Sequence, residues 1–161
     1  MSVKIGDRLP AATFRVMTAD GPKPRASDEI FAGRKVVLFG VPGAFTPTCH
    51  KNHLPGFLAH STDFKSRGVV EIAVVSVNDV HVMGAWARAT AGDDRISFLA
   101  DGNGDFTRAL GLDFDASAGG MGMRSKRFAM LVEDGVVKQL NVEDIPSKAD
   151  ASSAAVLLGQ I

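Results

Sequence analysis

The sequence has almost no cysteine, no tyrosine and no excess of charge of either sign. Its 161 residues include one cysteine and one tryptophan, and Lys+Arg and Asp+Glu balance at 18 each. A single cysteine excludes an internal disulfide framework and favours a reducing, cytoplasmic setting, or an organelle if a targeting peptide was removed. The balanced charge gives no sign of a nucleic-acid partner or of an anionic membrane surface.

Long hydrophobic runs are also missing. No apolar stretch approaches the roughly 18 residues that span a bilayer, and residues 1–7 lack the charged and apolar regions of a secretory signal. What is present is an ordinary globular composition, with 45% hydrophobic and 22% charged residues. We therefore expect one domain over residues 1–161, with a core of its own and no membrane partner.

Short apolar runs separated by helical patterns predict a three-layer α/β domain. Residues 35–40 form a predicted buried strand, and the β-branched run 69–77 is typical of a strand covered on both faces. Asp134-Gly135 between two apolar runs is a hairpin signal. The order βαβαβαββα, with parallel units first, indicates a mixed sheet between helices. The remaining predictions are an edge strand at 11–17, a strand at 96–100, helices at 27–31, 47–67 (kinked at Pro55), 78–91, 105–110 and 151–158, and irregular segments at 21–24 and 113–123.

The lone cysteine, Cys49, follows the strand 35–40 and falls in the first turn of the next predicted helix. Unpaired N–H groups and the positive end of the helix dipole favour an anion there, and the thiolate is the reactive form of cysteine. A buried structural cysteine is the alternative, because free cysteines are among the most buried residues. Thr46 is close enough in sequence to reach the sulfur, and Pro42 and Pro47 stiffen the loop, which together favour thiol chemistry.

His53 lies one helical turn after Cys49, so the two side chains share a helix face. A Cys–His base pair, a metal site and a packed core histidine are all open from this spacing. Cys49, His50, His53 and His60 lack the paired spacing of a zinc site, so no metal is expected.

The pattern Pro42-x-x-x-Thr46-x-x-Cys49 resembles the active-site motif of the peroxiredoxins. The full stretch 42–49, PGAFTPTC, is similar to the type II, or peroxiredoxin-5-like, subgroup. The resemblance continues in matching order and spacing over nearly the whole chain, through HLPGF at 53–57, SVND at 76–79, AWA at 85–87, LADGN at 99–103 and RSKRFA at 124–129.

This resemblance implies a thioredoxin-like α/β/α sandwich, with a mixed sheet and an N-terminal extension, that acts as a thiol-dependent peroxidase. Cys49 would be the peroxidatic thiolate, Thr46 would position it and donate to the peroxide, and Pro42 would shield it from water. The resemblance makes Arg127, on the later strand, the catalytic arginine. Its fixed charge would stabilise the thiolate and the leaving oxygen. By residue type alone, Arg127 would be a surface arginine.

Gly43, Phe45 and His53 complete the expected site as substrate-binding residues. Phe45 would add an apolar wall or part of a dimer surface, with core packing as its alternative. His53 would lie near the pocket and orient groups there without taking a proton. The resemblance implies peroxide as substrate, no cofactor and a homodimer.

Many peroxiredoxins recycle through a second, resolving cysteine. In type II members it lies in the strand that corresponds to residues 72–74 or near Ala151, and both places lack sulfur here. An external thiol must therefore resolve the sulfenic acid of Cys49. By analogy, glutathione with glutaredoxin is favoured over thioredoxin. The alternative function is a peroxide sensor or redox relay that passes oxidation from Cys49 to a partner protein.

Overall fold

A mixed β-sheet forms the frame of the protein. The computed structural model describes residues 2–90 and 94–161. In this part of the chain the strands are β1 (Thr13–Thr18), β2 (Gly21–Ala26), β3 (Lys35–Val41), β4 (Glu71–Ser76), β5 (Ser97–Ala100), β6 (Asp113–Asp115), β7 (Met123–Ser125), β8 (Phe128–Glu133) and β9 (Val136–Val142). The α-helices are α1 (Ser27–Phe31), α2 (Leu54–Ala59), α3 (Ser61–Ser66), α4 (Val80–Thr90), α5 (Asp105–Leu110) and α6 (Ala154–Gly159).

The main sheet has the strand order β2-β1-β5-β4-β3-β8-β9, and β6 pairs with β7 in a separate small hairpin. The central strands β3, β4 and β5 run parallel, whereas β8 lies antiparallel beside β3. The thioredoxin-like α/β fold expected from the sequence is confirmed. No helix among residues 2–90 and 94–161 is long and apolar enough to cross a membrane.

Side chains that alternate along β3 supply two cores, one on each face of the sheet. Val37 and Phe39 enter the core that also holds Trp86 of α4, while Leu38 enters the core that holds Phe106 of α5. The successive residues of β4 divide between the same two cores. The predicted double coverage of the 69–77 run is therefore confirmed.

The antiparallel pairing of β8 with β3 places the start of β8 at the carboxyl end of β3. Gly40 pairs with Phe128, so the residue before Phe128 lies beside the loop that follows β3. Glycine is required at position 40, because a Cβ there would lie 2.1 Å from the Phe128 ring. This close approach brings two segments that are distant in sequence to one end of the sheet.

The predicted irregular segment at 21–24 is wrong, because Gly21–Ala26 forms β2, and β2 rather than β1 is the edge strand. Pro22 and Pro24 suggested a turn. As the outermost strand, β2 pairs on one side only, and prolines two residues apart can both direct their missing N–H toward the open side. The predicted loop 113–123 likewise contains β6 and the first residue of β7.

The predicted single helix 47–67 is divided into shorter segments. A π-helical turn at Cys49–His53 leads into α2, and α3 begins after a break at His60. The π turn ends two residues before Pro55, which has no N–H for regular α-helical bonding. The end of the predicted helix 78–91 at Ala91 lies outside the described residues, and α4 is described to Thr90. The final helix begins at Ala154, three residues later than predicted.

Candidate active site

The candidate site begins where β3 ends and the chain turns into a helix. Helical structure starts at Pro47, and Cys49 lies in the first turn, as the sequence predicts. The backbone carbonyl of Thr46 accepts the first helical hydrogen bond, from the His50 backbone N–H at 2.9 Å. The Cys49 side chain is fully buried.

Thr46 is the first polar neighbour of the sulfur. Its Oγ1 lies 2.8 Å from Cys49 Sγ and 2.7 Å from the carbonyl oxygen of Gly43. Gly43 permits a tight loop here, because an added Cβ would lie 3.1 Å from Thr46 Cγ2 and 3.1 Å from Arg124 Nη1. The loop therefore presents the Thr46 hydroxyl directly to the sulfur.

Arg127 is the second polar neighbour of the sulfur, although it is 78 residues away in sequence. It immediately precedes β8, and its side chain is only 2% exposed. Nη2 donates to Cys49 Sγ at 3.1 Å, and Nε donates to the Pro146 carbonyl at 3.0 Å. A buried positive charge thus faces the only cysteine of the chain.

His53 lies behind Arg127. Arg127 Nη1 is 3.1 Å from His53 Nδ1, and His53 Nε2 is 2.9 Å from the Ser152 carbonyl oxygen. Burial and the Arg127 charge together lower the pKa of His53 from 6.5 to about 3, so that the imidazole is neutral at physiological pH. The ring also packs edge-on against Phe39.

A cavity of about 480 Å³ opens over Thr46 and Arg127, the two groups that contact the sulfur. Its walls are mainly apolar, and include Pro42, Phe114, Ala116, Met121 and Pro146. Pro42 therefore lines the same cavity as Thr46 and Arg127. Small apolar or amphiphilic molecules suit such a cavity, whose polar lining consists of the Arg127 guanidinium, the Asp115 carboxylate and the hydroxyls of Thr46, Thr48 and Ser147.

Phe45 faces a different environment. Its backbone has φ 64°, its side chain is 48% exposed, and its ring stacks on His50 with the centroids 5.6 Å apart. His50 Nδ1 in turn accepts a hydrogen bond from the Trp86 indole. The structure therefore brings Cys49, Thr46, Arg127, His53 and Pro42 together, while the exposed Phe45 ring packs on the His50 and Trp86 side.

Several contacts of the site have no clear signal in the sequence. The carbonyls of Pro146 and Ser152 hold Arg127 and His53, and any residue could supply a carbonyl. Arg124 donates to the Met121 carbonyl from Nε at 2.9 Å and to the Pro42 carbonyl from Nη1 at 3.4 Å, and its only signal in the sequence is its place in the 124–129 segment. In the described part of the chain no group of three or more His, Cys, Asp or Glu is arranged to hold a metal ion.

Comparison with known proteins shows which family the chain belongs to. The family described as Redoxin matches residues 4–158. Peroxiredoxin-2E-2, chloroplastic, from Oryza sativa subsp. japonica is 49% identical over 148 residues, which cover 89% of this chain and 66% of the rice protein. The crystal structure of reduced Prx3 in complex with H2O2 from Vibrio vulnificus has a TM-score of 0.92 at 47% identity, over 98% of both chains. Peroxiredoxin 5 from Alvinella pompejana has a TM-score of 0.83 at 36% identity, also over 98% of both chains.

The chain therefore belongs to the redoxin family of thioredoxin-like proteins, and its class is that of the thiol-dependent peroxidases. Within that class it is a peroxiredoxin of the type II, peroxiredoxin-5-like subgroup, with a single cysteine in its 161 residues.

Proposed function

We propose that this peroxiredoxin reduces hydrogen peroxide and organic hydroperoxides through Cys49, which cycles between thiolate and sulfenic acid. The observation that carries the proposal is the pair of contacts on the sulfur. Thr46 Oγ1 and Arg127 Nη2 lie 2.8 and 3.1 Å from Sγ, and both residues line the cavity through which a peroxide would arrive.

In the first step the thiolate attacks one peroxide oxygen, an S–O bond forms and the O–O bond breaks. The sulfur is oxidised to a sulfenic acid, and the departing oxygen leaves as water or an alcohol after taking a proton. The Arg127 guanidinium faces the negative charge that moves from sulfur to the leaving oxygen. Thr46 and the backbone N–H of Cys49 supply further polar contacts, and Pro42 keeps water from the sulfur.

In the second step an external thiol attacks the sulfenic acid, which releases water and leaves a mixed disulfide on Cys49. A second thiol then restores the Cys49 thiol and carries away the disulfide. The single cysteine supports this cycle, because the 161 residues contain no second thiol that could form a disulfide with Cys49. We favour glutathione with glutaredoxin over thioredoxin as the reductant.

The test is peroxide consumption with glutathione, glutaredoxin and thioredoxin systems supplied separately. We expect many peroxides consumed per subunit with the glutathione and glutaredoxin system, and no reaction of Cys49→Ser. Arg127→Ala should keep the thiol but form sulfenic acid about a hundredfold more slowly, as when an oxyanion donor is removed. Stoichiometric oxidation of Cys49 without turnover in any system would contradict the peroxidase cycle and favour the sensor or relay function.

We propose that Gly43 acts through the tight loop that presents Thr46 to the sulfur, and that Phe45, on the His50 and Trp86 side, acts in assembly. Phe45 is an exposed apolar side chain within the 42–49 motif, so it is a candidate for the surface of a homodimer. Sedimentation of the wild type and Phe45→Ser tests this assembly: a monomeric wild type would contradict it.

We place the protein in the cytoplasm, with an organelle as the alternative because the rice relative is named chloroplastic, and fractionation of the source cells decides between them.

A further inference from the structure

The Arg127 guanidinium is a buried charge. Its side chain is 2% exposed, yet none of the ion pairs in residues 2–90 and 94–161 includes it. A buried cation is costly unless hydrogen bonds or an opposite charge compensate for the lost water. Its three observed partners are a carbonyl oxygen, an imidazole nitrogen and the Cys49 sulfur.

The imidazole partner has a defined protonation state. Arginine has only donors, so His53 Nδ1 must accept the hydrogen bond from Nη1. The Ser152 carbonyl has only acceptors, so His53 Nε2 must carry the proton. These two contacts select the neutral Nε2–H tautomer and fix the plane of the ring.

The Ser152 carbonyl is itself held in place. Glu143 accepts hydrogen bonds from the backbone N–H and the hydroxyl of Ser152, each at 2.6 Å. The backbone N–H of Glu143 donates to the Arg127 carbonyl at 2.9 Å. One buried residue therefore ties the anchor of His53 to the backbone of Arg127.

We propose that His53 is a positioning residue for Arg127. The Ser152 carbonyl holds His53 as the neutral Nε2–H tautomer, and Nδ1 of that ring accepts a hydrogen bond from Arg127 Nη1. This contact directs Nη2 toward Cys49 Sγ without neutralising the guanidinium. A carboxylate at this place would hold Arg127 more strongly, but its charge would compete with the thiolate and the leaving oxygen for the cation. A neutral acceptor orients the guanidinium and leaves its charge for the reaction. This inference rests on the role assigned above to Arg127.

Two substitutions at position 53 separate the two nitrogens of the ring. His53→Asn places an amide oxygen near the Nδ1 position and can still accept from Arg127, but it loses the donor to Ser152. His53→Gln can place its amide N–H near the Nε2 position and still donate to Ser152, but it loses the acceptor for Arg127. Each variant keeps one buried polar contact, so a purely structural role predicts similar losses in both.

The rate of sulfenic acid formation in a single turnover, followed by trapping, is measured without any recycling thiol. We expect His53→Asn to react within about threefold of the wild type and His53→Gln to react about tenfold or more slowly, the size of one lost hydrogen bond to a charged group. Thermal midpoints are measured in parallel. Equal rates in the two variants, or rates that follow the midpoints, would overturn the inference.

Arg127→Ala in the same assay separates this inference from the proposed function. If Arg127→Ala reacts as fast as the wild type, the role of Arg127 is wrong. If Arg127→Ala is slow while His53→Gln is fast, only the positioning role of His53 fails. Nitrogen-15 spectra of the wild type give a test that does not depend on a folded variant: we expect Nδ1 of His53 to be unprotonated at neutral pH, and a protonated Nδ1 would overturn the inference.

Discussion

The Thr46 hydroxyl has one proton and two acceptors within reach. The Gly43 carbonyl lies 2.7 Å from Oγ1 and the Cys49 sulfur 2.8 Å from it. When the proton points to Gly43, the oxygen lone pairs face the sulfur and can accept from a thiol S–H or a peroxide O–H. When the proton points to the sulfur, it stabilises the thiolate. One side chain can thus serve both the resting thiol and the reacting anion.

Substitution of Thr46 tests this double use at the scale of a single residue. Thr46→Val keeps the shape of the side chain but has no hydroxyl, and we expect sulfenic acid formation to slow by about tenfold or more. Thr46→Ser keeps the hydroxyl and serves as the matched control. Its rate should lie within about a few-fold of the wild type, because the substitution changes little more than the entropy cost of ordering the side chain. A fast valine variant would show that the hydroxyl does not act in the reaction.

At the scale of elements, the site depends on the approach of β3 to β8. Gly40 faces the Phe128 ring, and Arg127 directly precedes that phenylalanine. Any side chain at position 40 must displace the ring or separate the two strands. Because the core is closely packed, such a displacement carries to the neighbouring Arg127 and its contact with the sulfur.

We therefore expect Gly40→Ala to reduce the free energy of unfolding by about 3 kcal/mol or more, as an overpacked core substitution does. Gly119→Ala is the control, because a Cβ at Gly119 meets nothing within 4 Å. Its effect on the free energy of unfolding should stay below about 1 kcal/mol. Urea unfolding of the three proteins measures the difference, and equal stabilities would contradict the close packing of Gly40 on Phe128.

Most element types were predictable from the sequence, and the misses have physical reasons. The helices 27–31 and 105–110 and the 134–135 hairpin agree with local signals such as the left-handed Gly111 and Asp134-Gly135. The strand β2 was missed because prolines are tolerated only when a strand is at an edge, and edge position is a property of the sheet. The π turn at Cys49–His53 lies inside the predicted helix 47–67, where the helical pattern does not separate it from an α-helical turn.

At the scale of the whole molecule, the buried His53 makes stability depend on pH. Its pKa is about 3 when folded, against 6.5 for an ordinary histidine, because of burial and the Arg127 charge. Between these values the unfolded chain binds a proton that the folded protein does not. Stability must therefore fall as the pH is lowered from 6.5, by up to about 1.4 kcal/mol per pH unit.

Denaturant unfolding of the wild type and His53→Asn between pH 6.5 and pH 4.5 tests this dependence. The variant lacks the titrating ring but keeps every other ionisable group, so we expect its stability to fall less steeply over this range. Glu71 affects stability only at lower pH. Burial alone would raise its pKa, but hydrogen bonds from Arg25, Ser97 and Arg34 outweigh burial, so the pKa lies below the ordinary value of 4.5. Parallel stability curves for the two proteins would contradict the low pKa of His53.

The strand, the loop and the start of the helix around Cys49 are predictable, because they depend on neighbouring residues: the apolar run 35–40, Pro42, Pro47 and the threonine three residues before the thiol. The peroxiredoxin resemblance also named Arg127. The way in which that arginine is held follows from the folded chain, since the Ser152 carbonyl bonds to His53 across 99 residues of sequence. Local preferences contain no information about which distant donor meets which acceptor. Sheet pairing sets that geometry, and it converts a thiol at a helix start into a site with a directed positive charge.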